Sequence, residues 1–214
     1  AHDEISKKLK HRKIKVQRQI KFNTGRLSKF WIKNVLSTGL SSAFIEPLEA
    51  TSIHATIMQI THFLENYYKK DLQFKCNLLQ EQYNSEMTQM WDNIRDFIVY
   101  HYITPRKDTK FWRESSSVQR WSPRLTRMMT MWKYRMPRVV DYINDKGNNF
   151  YNIGNTLWYQ IAIGMKLLDP KLAKKELKDY GLYDQTKNTY QHLIKNIDQY
   201  MNTFIKTNKY YKSL

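Results

Sequence analysis

The sequence predicts a mainly α fold that opens on a short strand segment, and three observations carry that reading. Only six glycines and five prolines punctuate 214 residues, which leaves few places for the tight turns of a many-stranded fold. Ile53, Ile57, Ile60, Leu64 and Tyr67 follow the i, i+4, i+7, i+11, i+14 spacing of a helical core stripe. Leu79, Tyr83, Met87, Met90, Ile94, Phe97 and His101 repeat that stripe along a helix over 74–102.

The remaining elements follow in order. Ile14, Val16, Ile20 and Phe22 alternate with polar residues, apart from Arg18, so 13–22 reads as a half-buried strand, with Gly25 marking the turn after it. Asn34–Thr38 reads as a buried strand end stopped by Gly39. Glu46, Pro47 and Glu49 stand at a helix entrance, and the helix runs to about Tyr68 before the polar break at 69–71. Beyond Pro105, Asp108 and Thr109 are placed to cap a turn presenting Phe111 and Trp112. Ser122-Pro123 is a helix start, N-cap and N1, carrying Leu125, Met128, Met129 and Trp132 to about Arg135. The turn-rich 145–149 precedes a helix over 156–168 with Leu157, Trp158, Ile161 and Met165, closed by Asp169-Pro170. A last helix, 185–208, is expected to bury Tyr190, Leu193, Ile197, Met201 and Phe204.

Composition bounds the function. A hydrophobic content of 41%, with 14% aromatic, argues for a folded globule of one domain or a domain and a half. A single cysteine, Cys76, excludes a disulfide framework. No apolar run reaches the roughly 18–20 residues of a membrane helix, and the start lacks the apolar core of a signal peptide. These features point to a cytoplasmic protein without a membrane partner. The net charge of +17 admits nucleic-acid binding, with Lys7–Lys13 as its densest run. The plain alternative is a solvated lysine-rich surface; no zinc spacing or RNA-binding aromatic signature accompanies the charge, so nucleic acid is not the expected partner.

Residues 34–68 contain no Lys or Arg, where the chain average implies about six. Burial is the usual cause of such exclusion. The small-residue run Gly39-Leu40-Ser41-Ser42-Ala43 lets backbone approach a ligand, and the following helix start is a natural anion site. An ordinary capped core helix accounts for the same spacing.

Gly39–Ile53, GLSSAFIEPLEATSI, resembles the segment of flavin-dependent tryptophan halogenases that closes over the flavin. Asp92–Ile98 and Arg106–Arg113 resemble two further blocks of that family in the expected order, and Phe22–Arg26 with Phe30, Trp31 and Asn34 resembles its approach to the central motif. The resemblance covers about 13–165. It implies the C-terminal part of an α/β flavin-monooxygenase-type halogenase: residues 1–68 ending the FAD-binding module, and 69–214 forming a helical substrate-side domain. It further implies FADH2 and halide as cofactors, hypohalous acid as the oxidised product, and halogenation of an indole or another electron-rich aromatic. A separate flavin reductase would supply FADH2.

By the same resemblance Glu49 faces the substrate as catalytic residue, and the backbones of Thr51 and Ser52 hold halide. Ser52 stands where several relatives carry Gly. Gly39, Leu40, Ser41, Glu46 and Pro47 contact the cofactor, and Phe150, Tyr151 and Asn155 the substrate. Arg95, Asp96 and the Arg106–Thr109 block read as architectural, and His101 as a satisfied core histidine. With glycine only at 25, 39, 147, 154, 164 and 181, no G-x-G-x-x-G fingerprint exists here. The family's catalytic lysine and Trp-x-Trp-x-Ile-Pro signature are also missing, so the N-terminal half of the same protein is expected as a partner. Two other classes remain open: a related flavin monooxygenase without halide use, and a basic helical nucleic-acid-binding protein.

Overall fold

The computed structural model describes residues 21, 23–46, 48–68, 76–142 and 155–203. The chain divides into two compact units, Ala1–Cys76 and Asn77–Leu214.

In the first unit, β1 (Gly25–Arg26) pairs antiparallel with β4 (Ala43–Phe44), and β2 (Trp31–Ile32) with β3 (Val35–Leu36). Lys33 turns the second hairpin in the left-handed region (φ 54°). The Trp31 indole N–H holds its carbonyl at 2.9 Å. Gly25 therefore lies in a strand rather than in the expected turn. Val35, expected to be buried, is 60% exposed. Of the alternating stretch 13–22 only Lys21 is described, and it is irregular; the rest lies outside the described residues.

Two 3-10 turns, Gly39–Ser41 and Leu48–Ala50, lead into α1 (Thr51–Asn66). The helix exists as predicted, but its inward face is not the isoleucine stripe. Ala55, Gln59 and Phe63 are buried, with Tyr67 just beyond the last turn, while Ile53, Ile57, Ile60 and Leu64 are exposed. Trp31 decides the matter: it is buried edge-on against Phe63 (ring centroids 5.1 Å) and Tyr67 (6.1 Å). A sequence apolar on two sides of a helix leaves open which side faces a given neighbour.

In the second unit, α2 (Asn77–His101) buries Tyr83, Met87, Met90, Ile94 and Phe97, the stripe read from spacing. α3 (Lys110–Ser115) is capped by Thr109, whose Oγ1 accepts from the Trp112 N–H. α4 (Pro123–Met131) is capped by Ser122, accepting from the Leu125 N–H with Pro123 at the first position. α5 (Asn155–Gly164) packs on α2, where Trp158 meets Phe97 (5.1 Å) and Tyr100 (4.8 Å), and Trp132 and Tyr142 complete the aromatic centre. No strand occurs among the described residues of this unit. Asp169-Pro170 does not close a helix but opens one, α6 (Pro170–Asp179), with the Asp169 carboxylate accepting from the Lys171 N–H. That is the same N-cap and N1 arrangement as Ser122-Pro123.

α7 (Tyr183–Thr203) has the expected amphipathic pattern. Its Tyr190, Leu193, Ile197 and Met201 are exposed, however, and not buried as the pattern implies. Periodicity reports that an apolar face exists, not what covers it.

Carboxylates tie this unit together. Asp96, at the bottom of α2, accepts from Arg95 (2.8 Å) and from the Ser122 hydroxyl (2.7 Å), with Arg124 at 3.7 Å. Asp141 accepts from the Trp132 indole (2.9 Å), Arg135 (2.8 Å) and the Arg138 backbone N–H (2.8 Å). Burial alone would raise the Asp141 pKa; the bonds from Arg135, Arg138 and Trp132 outweigh it and hold the carboxyl below its ordinary value.

That balance has a measurable consequence. A carboxyl depressed on folding contributes stability that is present above its unfolded pKa of about 3.9 and is lost as pH falls through the folded value. Asp141→Asn removes the charge from a buried carboxylate whose partner Arg135 is partly exposed, and is expected to destabilise the second unit by about 2 kcal/mol at pH 7. The difference from wild type should shrink below pH 4. Urea unfolding at pH 7 and pH 3 checks both; an equal penalty at the two values would contradict the assignment.

Candidate functional site

The local geometry of 37–56 follows from two backbone reversals. Gly39 sits at φ +59°, which lets the chain tighten into the Gly39–Ser41 turn. The turn is held from within: the Ser41 hydroxyl donates to the Thr38 carbonyl (2.7 Å), and the Ser42 hydroxyl and backbone N–H both donate to the Gly39 carbonyl (2.8 and 3.0 Å). Leu40 projects into solvent. Thr56 of α1 lies against this turn, its side chain 3.7 Å from where a Gly39 β-carbon would stand.

The second reversal is Ala50, left-handed at φ 53°, ψ 24°. The α-helix therefore starts at Thr51, not near Pro47, and Glu49 belongs to the preceding Leu48–Ala50 turn. Thr51 and Ser52 become its first two residues. Among the described residues no side chain caps this end, and its first turn contains no acid. The Thr51 hydroxyl donates backward to the Leu48 carbonyl (2.8 Å), stitching the two turns together. A helix start of this kind presents backbone amides and the positive end of the dipole.

The structure thus brings Gly39, Leu40 and Ser41 together in one turn beside the helix that begins with Thr51 and Ser52. Glu46 is half-buried in the stretch between. Pro47 and the Glu49 side chain lie outside the described residues, as do Phe150 and Tyr151. Asn155 opens α5, its side chain likewise outside them. Among the described residues no cluster of three or more His, Cys, Asp or Glu could hold a metal, and no helix is long and apolar enough to cross a membrane.

Arg95 and Asp96 belong to the Asp96 junction between α2 and Ser122, the architectural role expected of them. His101 sets Nδ1 2.7 Å from the Phe97 carbonyl. Arg106 pairs with Asp108 (2.8 Å) and covers the Trp112 ring (4.7 Å). Arg106 also holds the exposed Asp108 carboxyl below its ordinary pKa. Sequence reasoning missed Gln59. Its signal was a polar residue in the Ala55–Gln59–Phe63–Tyr67 row, eclipsed by the longer isoleucine row.

These blocks and this helix entrance belong to a recognisable class. The tryptophan halogenase family model matches residues 1–178, and the chain belongs to that family. Among curated proteins it is similar to tryptophan 7-halogenase RebH of Lentzea aerocolonigenes, 31% identical over 170 residues, 72% of this chain and 31% of that protein. It is also similar to tryptophan 6-halogenase ThaL of Streptomyces albogriseolus, 35% identical over 105 residues, 47% of this chain and 18% of that protein. Among solved structures, BrvH, a flavin-dependent halogenase from Brevundimonas sp. BAL3, superposes with a TM-score of 0.70 at 25% identity, over 92% of this chain and 38% of its own. The chain spans about a third of the length of the first of these relatives.

The reversal at Gly39 can be tested apart from any activity. A β-carbon there has room, so the cost of Gly39→Ala comes from the left-handed backbone, about 1 kcal/mol. Gly25→Ala, where no atom lies within 4 Å and φ is ordinary, is expected to be near neutral. Denaturant midpoints of the two variants should differ in that order.

Proposed function

We propose that this chain is the C-terminal portion of an FADH2-dependent halogenase that oxidises halide to hypohalous acid and halogenates an indole or another electron-rich aromatic. The observation that carries this reading is the helix entrance at Thr51–Ser52. A halogenase needs an anion-binding position beside its cofactor loop, and a helix start next to the Gly39–Ser41 turn supplies the matching chemistry.

In this reading residues 1–68 end the FAD-binding module and 69–214 form the substrate-side domain. Gly39, Leu40, Ser41, Glu46 and Pro47 hold the flavin edge, and the Thr51 and Ser52 amides hold the halide. Bound reduced FAD, with dioxygen, supplies the oxidising equivalent. Glu49, two residues ahead of the halide amides, positions the oxidant or accepts the ring proton. Phe150 and Tyr151 stack on the aromatic substrate and Asn155 orients it. A separate reductase supplies FADH2, and the phosphate-binding fingerprint comes from the remainder of the protein.

Two outcomes are expected. Residues 1–214 alone should bind FAD weakly or not at all and should not halogenate, because the chain contains no G-x-G-x-x-G. Isothermal titration showing stoichiometric micromolar binding would refute this. In the whole reading frame, supplied with a flavin reductase, bromide or chloride and tryptophan or indole, halogenated product should form. Glu49→Gln should lower its rate about 10²–10⁴-fold while flavin oxidation continues; Glu46→Gln should cost less. Oxygenated product formed equally without halide would favour a monooxygenase instead.

A further inference from the structure

We infer that Gln59 is a positioning residue that fixes the cofactor loop to the halide helix. This rests on the function just proposed for those two elements, but its geometry is independent of it. Gln59 is fully buried, two turns along α1 from Ser52, in the middle of a face otherwise lined by Ala55 and Phe63. Its Nε2 donates to the Ser37 carbonyl at 3.1 Å, and its Oε1 lies 3.2 Å from the Ser42 hydroxyl, whose single proton it shares with the Gly39 carbonyl at 2.8 Å. These two partners bracket the Gly39–Ser41 turn.

The arrangement calls for an amide. The Ser37 carbonyl can only accept, so it fixes which end of the amide faces it, and the Oε1 end is then left to meet the Ser42 hydroxyl. A carboxylate would face the carbonyl with another acceptor, and an aliphatic chain would satisfy neither group. Leaving a buried amide or carbonyl unpaired is costly, so loop and helix are held in one register. The same face continues toward the helix start: the Thr56 hydroxyl donates to the Ser52 carbonyl (2.8 Å) while its side chain abuts Gly39. Ser52, Thr56 and Gln59, spaced i, i+4, i+7, form the rail along which the turn is set.

The test uses the whole reading frame. Gln59→Met keeps length and approximate volume and removes both amide groups. Ser42→Ala removes the hydroxyl from Gln59 Oε1 and from the Gly39 carbonyl together, so Gln59→Leu, which leaves the bond within the turn in place, is made beside it in case Gln59→Met fails to fold; Thr61→Ala, exposed on the same helix, is the control. For Gln59→Met, peptide-resolved deuterium uptake over 37–42 should rise severalfold while that of 60–66 stays as in wild type. The FAD Kd should weaken about tenfold, with kcat at saturating flavin within about twofold of wild type. Gln59→Leu should show the same changes, and Ser42→Ala the same at smaller size. Unchanged uptake over 37–42, or a Kd within twofold of wild type, would overturn the inference. If the wild-type protein itself binds no FAD, the function proposed above fails, and the uptake measurement still decides whether Gln59 positions the loop.

Discussion

The packing of Trp31 against Phe63 and Tyr67 is the constraint on which the first unit depends. Burying a large apolar side chain contributes about 1.5–3 kcal/mol, and favourable ring geometry adds roughly 0.5–1.5 kcal/mol per pair. Both are gained only if α1 turns its Ala55–Phe63 side inward. Once it does, Gln59 is carried into the interior with two polar ends, and the 37–42 loop comes down to meet them. The aromatic contact thereby selects the helix face, the helix face buries the amide, and the amide places the turn. Thr51 and Ser52 inherit their position from the same rotation.

In the second unit the scarce resource is negative charge. With 36 Lys and Arg against 19 Asp and Glu, a carboxylate that enters the interior finds cationic partners readily. Asp96 joins α2 to the start of α4. Asp141 joins the 139–142 turn to Arg135 and Trp132. Glu176 of α6 reaches back to the Met136 backbone N–H (2.8 Å) and to Arg138 (2.7 Å). Guanidinium groups suit this role because they present several donors in one plane.

The two Pro-initiated helices show how one signal can be read well once and badly once. Ser122-Pro123 and Asp169-Pro170 have the same capping grammar, and both start helices in the structure. From the sequence the second reads as a stop, because Pro disfavours helix in the residue before it. That is true, and equally compatible with a new helix beginning at the proline. The candidate site divides similarly. The helix entrance and its small-residue loop were visible in the composition of 34–68, but Gln59 was not, since nothing local distinguishes a polar residue facing solvent from one facing a carbonyl 22 residues away.

What acts within about one helical turn is legible in neighbouring residues: the long stripe of α2, the caps at Thr109 and Ser122, and the small-residue run that opens at Gly39. Tertiary structure decided which face of α1 is buried and that Ala50 reverses before Thr51. It also made Asp96 and Asp141 the hubs of the helical unit, and left the α7 stripe exposed. Capping and periodicity are short-range and written in neighbouring residues. Burial and polar satisfaction depend on partners tens of positions away, and those partners are specified only when the whole chain has packed.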